Sequence, residues 1–361
     1  MPVFHALTIS DIRQETSDTV SIAFDVPTAL HEEYSYNAGQ YLTLKTVIEG
    51  EDTRRSYSIC SGLFDHELRV AVKKIKGGLF SCFANEQLKK GDKLDVMTPM
   101  GNFFTHLDKN NEKHYVGFAA GSGITPLISI IRTLLVYEPK SSFTLVYGNR
   151  NRKSIIFRES LIDLKNSYIS RFNMINILSR EDQEVELFTG RINGEKAAQV
   201  MDKLIPASGA DEVYLCGPEE MINAVSDTLQ KRGLPRNKLH FELFTSPTAA
   251  QGKKQATEEE DKTDLSGKMS NVTVIVDGDE FNFDLDMGGS SLLDAAMTQG
   301  ADLPFACKGG VCCTCRAKLI EGKVAMEINY SLEQEEIDAG FILTCQSHPL
   351  TEKIVVDFDE R

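Results

Sequence analysis

A chain of 361 residues is long enough for two or three domains, each burying a core of its own. With 41% hydrophobic and 25% charged residues its composition is that of a globular protein, and no stretch reaches the roughly 18 apolar residues of a membrane span. A net charge of −14 argues against nucleic acid as a partner, because phosphate backbones are held by clustered Lys and Arg. The opening MPVFHALTISDIRQE lacks a basic segment followed by an apolar one, so no signal peptide is expected and the chain is read as cytoplasmic. There, eight cysteines are better explained as ligands or thiols than as disulfides.

Residues 1–108 read as short strands between turns: HALTISDIRQ, TVSIAFDV, QYLTLKTVI, RSYSIC, ELRVAVKKI and KLDVMTP. Regular short strands with few helical stretches predict a closed antiparallel β-barrel. One strand carries Arg55, Tyr57 and Ser58: a guanidinium fork for pyrophosphate, a flat ring for an aromatic cofactor and a hydroxyl donor. Alternation puts Arg55 and Tyr57 on one face and Ser58 on the other, although an ordinary half-buried strand has the same pattern. Val72 and Lys73 close a later strand. It leads to Gly77, Gly78 and Ser81, a Gly-rich turn entering a helix whose free N–H groups suit a phosphate.

Residues 109–247 change register. Strands HYVGFAAG, FTLVYGN, NMINILS, EVYLCG and KLHFELF alternate with helices around PLISIIRTLLVYE, FRESLIDLKN, EKAAQVMDKLI and PEEMINAVSDTLQKRG, the pattern of a doubly wound parallel α/β sheet. Directly after the first strand stand Gly121, Gly123, Thr125 and Pro126. This departs from the GxGxxG fingerprint, yet a Gly-rich strand-to-helix turn here is a phosphate site by position. A tight turn with Pro126 as first helical residue accounts for the proline but not for both glycines. Cys216, Gly217 and Pro218 end a later strand, where such sheets bind ligands, and a small apolar filler is the plain reading of Cys216. Arg150, Ser179 and Arg180 put positive charge at strand ends. This suits a 2′-phosphate and favours NADPH over NADH, unless the arginines are simply surface.

The segment 248–270 is rich in Glu, Asp, Lys, Ser and Gly and predicts a flexible linker, too poor in apolar surface to order itself. After it, residues 271–361 show alternating Val272, Val274 and Val276, a DGDE turn, and alternating Phe281, Phe283 and Leu285: a hairpin. A short helix follows with Ser291 as N-cap, Asp294 as capping-box partner and Gly300 as stop. Strands near CRAKLI and KIVVDF, with an acidic helix at LEQEEIDAG, complete the order of an α+β β-grasp domain.

Between these elements Cys307, Cys312 and Cys315 stand as Cys-x4-Cys-x2-Cys, and Cys345 follows in FILTCQS. That is the plant-type spacing for a [2Fe–2S] cluster, with soft thiolates spreading charge over the iron pair. Gly309 and Gly310 let the loop wrap closely and aim N–H groups at sulfur. A structural zinc site, which pairs two short-spaced cysteine knuckles, is the alternative, and one such knuckle exists here. Cys313 lies between ligands and has no evident role. The same region holds 17 Asp or Glu against 6 Lys or Arg, −11 of the total −14, which either steers a basic partner or serves solubility.

Together these motifs resemble the ferredoxin–NADP reductase superfamily over residues 1–247, in which a flavin barrel precedes a nicotinamide domain. The resemblance implies FAD on Arg55, Tyr57, Ser58, Val72, Lys73, Gly77, Gly78 and Ser81, and NADPH on Gly121, Gly123, Thr125, Pro126, Arg150, Ser179, Arg180, Cys216, Gly217 and Pro218. Phe244 falls near the flavin ring by analogy, and Tyr57, Ser58 and Cys216 are the residues implied to face the reacting rings. With the C-terminal ferredoxin the whole order is similar to reductase components of multicomponent oxygenases of the phenylacetyl-CoA epoxidase type. It implies electrons passing from NADPH to FAD to [2Fe–2S] to an oxygenase. A hybrid-cluster protein, a Rieske dioxygenase or another hydroxylase are alternative acceptors. A redox sensor is disfavoured, because no DNA-binding or signalling segment accompanies the cluster motif.

Overall fold

The computed structural model describes residues 3–205, 209–244 and 267–360. They fall into two compact units, Phe4–Phe244 and a second from residue 267 onward, and each is described by itself. Most of the segment read as a linker, 248–266, lies outside the described residues. Its last two residues are sheet, because strand pairing begins at Met269 opposite Asp286.

The first unit opens with six antiparallel strands: β1 (Phe4–Thr16), β2 (Thr19–Asp25), β3 (Tyr41–Ile48), β4 (Glu51–Ser58), β5 (Leu68–Lys73) and β6 (Lys93–Met97). Their order is β4-β3-β6-β1-β2-β5, and an isolated bridge from Ile59 to Val70 links the ends of the two outer strands. Alternate residues such as Leu42, Leu44, Ile22, Val70, Val72 and Val96 point inward and form one core, capped by helix α1 (Leu79–Glu86) through Phe80 and Ala84.

Five parallel strands follow: β7 (His114–Ala120), β8 (Ser142–Asn149), β9 (Phe172–Leu178), β10 (Glu212–Gly217) and β11 (Leu239–Leu243). Helices α2 (Ile124–Tyr137), α3 (Arg158–Ser167), α4 (Gly194–Lys203) and α5 (Glu219–Lys231) connect them. The strand order β11-β10-β7-β8-β9 reverses at β7, so a crevice opens between the C-terminal ends of β7 and β10, where such sheets take ligands. Helix α2 is apolar on nearly every side and buried from Ile124 to Ile131, as a helix sandwiched in a core must be. Ala38, Cys60, Ala71 and Phe103 from the antiparallel part pack into the same core. Glu138, fully buried where α2 ends, accepts hydrogen bonds from the Tyr115 and Ser141 hydroxyls, at 2.9 and 2.8 Å, and from the Asn111 amide. A buried carboxylate is tolerated because its oxygens are answered in this way.

Pro126 is the third residue of α2, not the first: a 3₁₀ turn at Gly121–Gly123 runs straight into Ile124. The proline is accommodated because N–H groups of the first helical turn have no intrahelical acceptor to lose.

The second unit holds strands β12 (Met269–Val276), β13 (Asp279–Asp286), β14 (Arg316–Glu321), β16 (Phe341–Leu343) and β18 (Lys353–Asp357) in the order β13-β12-β18-β14-β16. A small pair, β15 (Val324–Met326) with β17 (Ser347–Pro349), lies beside them. Helices α6 (Leu292–Thr298) and α7 (Gln334–Asp338) complete it. Ser291 caps α6 by accepting the Asp294 N–H, and Gly300, at φ +93°, ends it. The Asp294 carboxylate reaches the Ser291 hydroxyl and the Lys308 ammonium, tying α6 to the cysteine loop.

Candidate functional site

Two sites emerge, one in each unit. In the first, the crevice at the strand-order reversal brings together three elements far apart in sequence. Ser58, at the end of β4, donates to the Glu242 carboxylate at 3.0 Å across 184 residues. Glu242 pairs in register with Cys216 across the parallel ladder of β10 and β11. Gly123 stands against the same point: a Cβ there would lie 2.0 Å from the Cys216 carbonyl oxygen, so only glycine lets the β7 turn close onto the end of β10. The Cys216 thiol is buried, and burial followed by the neighbouring Glu242 charge pushes it well up. It is a neutral thiol, not a thiolate nucleophile.

The sequence does not single out Glu242, which is one carboxylate in HFELF. Desolvation raises its carboxyl to about 8, opposed by the Ser58 hydrogen bond. A buried carboxyl raised in this way beside a thiol and a hydroxyl marks the cluster as a candidate functional site. The parallel register that creates the cluster is not written in any local motif.

The other sequence-derived residues lie on β4, on β5, in the turn entering α1, and at the C-terminal ends of β7 to β11. Tyr57 packs on Phe80 with ring centroids 5.5 Å apart. Arg55 gives one N–H to the Arg54 carbonyl and has no carboxylate partner among the described residues. Val72 is fully buried in the core with its carbonyl accepting from Asn85. Lys73 pairs with Asp18 at 3.8 Å, and its ammonium lies beside Gly121, 3.8 Å from where a Cβ would be. Gly77, at φ +76°, makes the turn into α1. There the Ser81 hydroxyl accepts from the Ile75 N–H and donates to the Gly78 carbonyl. Thr125 donates to the Ser122 carbonyl, holding the glycine turn closed, and Gly217 packs its Cα against Ala120 and Met221 before Pro218 starts α5.

Arg150 and Arg180 stand on adjacent strand ends, joined by a backbone hydrogen bond from Arg180 to Arg150, with Ser179 bonded likewise to Asn149. Both arginines are exposed, and neither is ion-paired among the described residues. Asn149 beside them is 8% exposed, and its side-chain N–H₂ faces the buried Tyr147 hydroxyl with no well-aligned hydrogen bond among the described residues. A glycine turn after β7 and two exposed arginines after β8 and β9 stand at the C-terminal edge of one parallel sheet, a layout that fits an anionic dinucleotide. Phe244, at the end of β11, is 42% exposed.

In the second unit the four thiols come as two pairs. Cys312 Sγ lies 3.1 Å from Cys307 Sγ, and the Cys315 and Cys345 thiols lie close enough to shift one another, Cys315 up and Cys345 down. Among the described residues no three His, Cys, Asp or Glu side chains converge on a single ion. Two pairs fit a two-iron cluster, in which each iron takes two protein thiolates. In each pair one thiol is lowered and its partner raised. Cys307 is lowered by the Cys312 thiol and by N–H groups of Gly309, Val311 and Cys312; Cys345 by the Cys315 thiol, then by Gly310 N–H and Gln346. Iron, when bound, would take the place of these shared protons, with Cys307, Cys312, Cys315 and Cys345 as the thiolates that would hold it. Gly310, at φ +70°, has no room for a side chain: a Cβ would lie 2.6 Å from the Ile328 carbonyl oxygen. Cys313 turns aside and donates to the Ser331 carbonyl, its thiol pushed up to about 11 by burial.

Comparison with known proteins follows the same division. Residues 6–105 match the oxidoreductase FAD-binding domain model, 118–227 the oxidoreductase NAD-binding domain, and 274–350 the 2Fe-2S iron-sulfur cluster binding domain. The chain is 44% identical, over all of its length and 99% of the relative's, to one of the 1,2-phenylacetyl-CoA epoxidase subunits of Escherichia coli. The chain belongs to the ferredoxin-reductase family that carries a C-terminal [2Fe–2S] domain. This ferredoxin reductase is also 32% identical, over 98% of its length and 96% of the relative's, to the reductase component of 3-ketosteroid-9-alpha-monooxygenase from Rhodococcus rhodochrous. Its fold is that of phthalate dioxygenase reductase, at a TM-score of 0.57, 22% identity and 98% coverage of both chains. It is an oxidoreductase for electron transfer. Among the described residues no helix is long and apolar enough to cross a membrane.

Proposed function

We propose that this ferredoxin reductase takes electrons from NADPH through FAD to its [2Fe–2S] cluster and delivers them to the oxygenase component of phenylacetyl-CoA epoxidase, in the cytoplasm. The observation that carries the acceptor is full-length identity of 44% with the phenylacetyl-CoA epoxidase relative, domain for domain. When bound, FAD accepts electrons from nicotinamide in pairs and the cluster passes them on singly. The protein binds, orients and excludes water.

In this reading the six-stranded sheet is a barrel closed through the Ile59–Val70 bridge, the C-terminal unit is a β-grasp, and residues 248–270 link them. Arg55 and the Gly77–Gly78 turn hold the flavin pyrophosphate, while Tyr57 and Ser58 line its ring. The Gly121–Gly123 turn, Cys216 and Asn149 hold the nicotinamide nucleotide, and Phe244 borders the flavin. Glu242, protonated below about 8, keeps negative charge away from the point where an electron pair arrives, and Ser58 fixes its rotamer. Arg150 and Arg180 supply the charge that a 2′-phosphate needs. Replacing Arg180 by Ala is expected to raise KM for NADPH about tenfold, the worth of one hydrogen bond to a charged group, with KM for NADH unchanged.

The acceptor is tested by anaerobic NADPH titration of the holoprotein with and without candidate partners. The phenylacetyl-CoA oxygenase component is expected to draw electrons in a cluster-dependent way. Transfer only to a hybrid-cluster protein, a Rieske dioxygenase or another hydroxylase would replace the acceptor and leave the electron path standing.

A further inference from the structure

One side chain links the two thiol pairs, touching a thiol of one and a backbone carbonyl in the loop of the other. Gln346 follows the last cysteine in the 3₁₀ turn Thr344–Gln346 and is 7% exposed. Its Nε2 donates one N–H to the Lys308 carbonyl at 3.1 Å and shares the other between the Cys345 carbonyl at 3.0 Å and the Cys345 Sγ at 3.7 Å.

The bond to Lys308 matters because of what shares its peptide. The Lys308 carbonyl and the Gly309 N–H belong to one planar unit and point in opposite directions. The Gly309 N–H donates to Cys307 Sγ at 3.3 Å. Holding the carbonyl therefore aims the N–H at sulfur and polarises it, since hydrogen bonds in a chain strengthen one another. Lys308 has φ +48°, uncommon for a residue with a side chain, so this peptide needs outside support. Support comes from Gln346 at the carbonyl and, at the ammonium, from Asp294 at 2.6 Å and the Phe305 ring at 4.6 Å. Gln346 thus reaches a thiolate of each pair: Cys345 directly, Cys307 through the Lys308–Gly309 peptide.

We propose that Gln346 is a positioning residue that sets the reduction potential of the bound [2Fe–2S] cluster by supplying N–H dipoles to one thiolate of each iron. The inference rests on the cluster assignment above. Hydrogen bonds to sulfur favour the more negative, reduced cluster, so removing them moves the potential downward.

The test is spectroelectrochemical titration of the full-length holoprotein and its Gln346→Leu variant, following the cluster and flavin bands separately. Gln346→Leu is expected to shift the cluster midpoint to more negative values, to lower several-fold the fraction of cluster reduced at a fixed NADPH/NADP⁺ ratio, and to leave the flavin midpoint in place. A variant with full cluster content and an unchanged cluster midpoint overturns the proposal. If Gln346→Leu does not hold a cluster, wild-type protein labelled with ¹⁵N in the glutamine side chain decides by pulsed electron paramagnetic resonance. A ¹⁵N coupling to the reduced cluster supports the proposal, and its absence overturns it. Wild-type protein with no cluster signal overturns the cluster assignment and this inference with it.

Discussion

Three of the four proposed cluster thiols fall within nine residues, Cys307 to Cys315, whereas Ser58, Cys216 and Glu242 come from three strands and meet only through the fold. The difference follows from what each ligand demands. A cluster is small and wants sulfur at fixed short separations, so a single loop, with Lys308 and Gly310 at its positive-φ positions, satisfies most of it. A dinucleotide and a flavin are long, so in the proposed reading their reacting ends need residues from several strands, which no single segment can supply. The loop site is held by peptide dipoles; the crevice site is held by close approach of backbones, with Gly123 against Cys216 as the tightest contact.

The comparison breaks hardest at the cysteines. Cys315→Ser is expected to abolish the cluster band and all delivery to an acceptor, while NADPH still bleaches the flavin at the wild-type rate in rapid mixing. Loss of flavin reduction as well would show that the two sites are not separable. Gly123→Ala attacks the other side. A methyl group 2.0 Å from a backbone carbonyl cannot be relieved by any rotamer, and displacement of this turn by about 1 Å is expected to slow flavin reduction on the order of 100-fold. The cluster spectrum should stay as it is.

A smaller effect sharpens the electrostatics. Glu242 binds its proton more tightly folded than unfolded, so the folded state loses stability as pH rises from the ordinary carboxyl range to about 8, and no further above it. Flavin reduction by NADPH is expected to fall across the same upper limit as the carboxylate forms. Glu242→Gln should flatten both profiles; a wild-type rate with no inflection between pH 7 and about 9 would remove Glu242 from the working site. The smallest effect is assigned to Cys313→Ser. Its thiol serves only the Ser331 carbonyl, which a hydroxyl also reaches, so cluster spectrum and turnover should match the wild type.

These contrasts explain how much is legible in the chain. The cysteine loop, the hairpin of β12 and β13, the cap at Ser291 and the alternation of strands and helices are local, with period and spacing visible in the residues themselves. The glycine turns are legible as strand-to-helix turns, but Pro126 sits two residues deeper in its helix than its pattern suggests, because a 3₁₀ turn precedes the helix. Glu242 is invisible: its neighbours are set by the parallel register of β10 with β11 and by the approach of β4, separations that no window along the sequence spans. Gln346 escapes for a related reason, since its partner carbonyl lies 38 residues earlier.

The electron path itself is tested most directly by mixing anaerobic holoprotein with NADPH and following flavin and cluster bands over time, with the reduced cluster counted by electron paramagnetic resonance. The account predicts that the flavin band bleaches first and that the cluster is then reduced in the same molecules, with Cys315→Ser stopping after the first phase. A cluster that stays oxidised while the flavin is fully reduced, or that is reduced before it, would contradict the account.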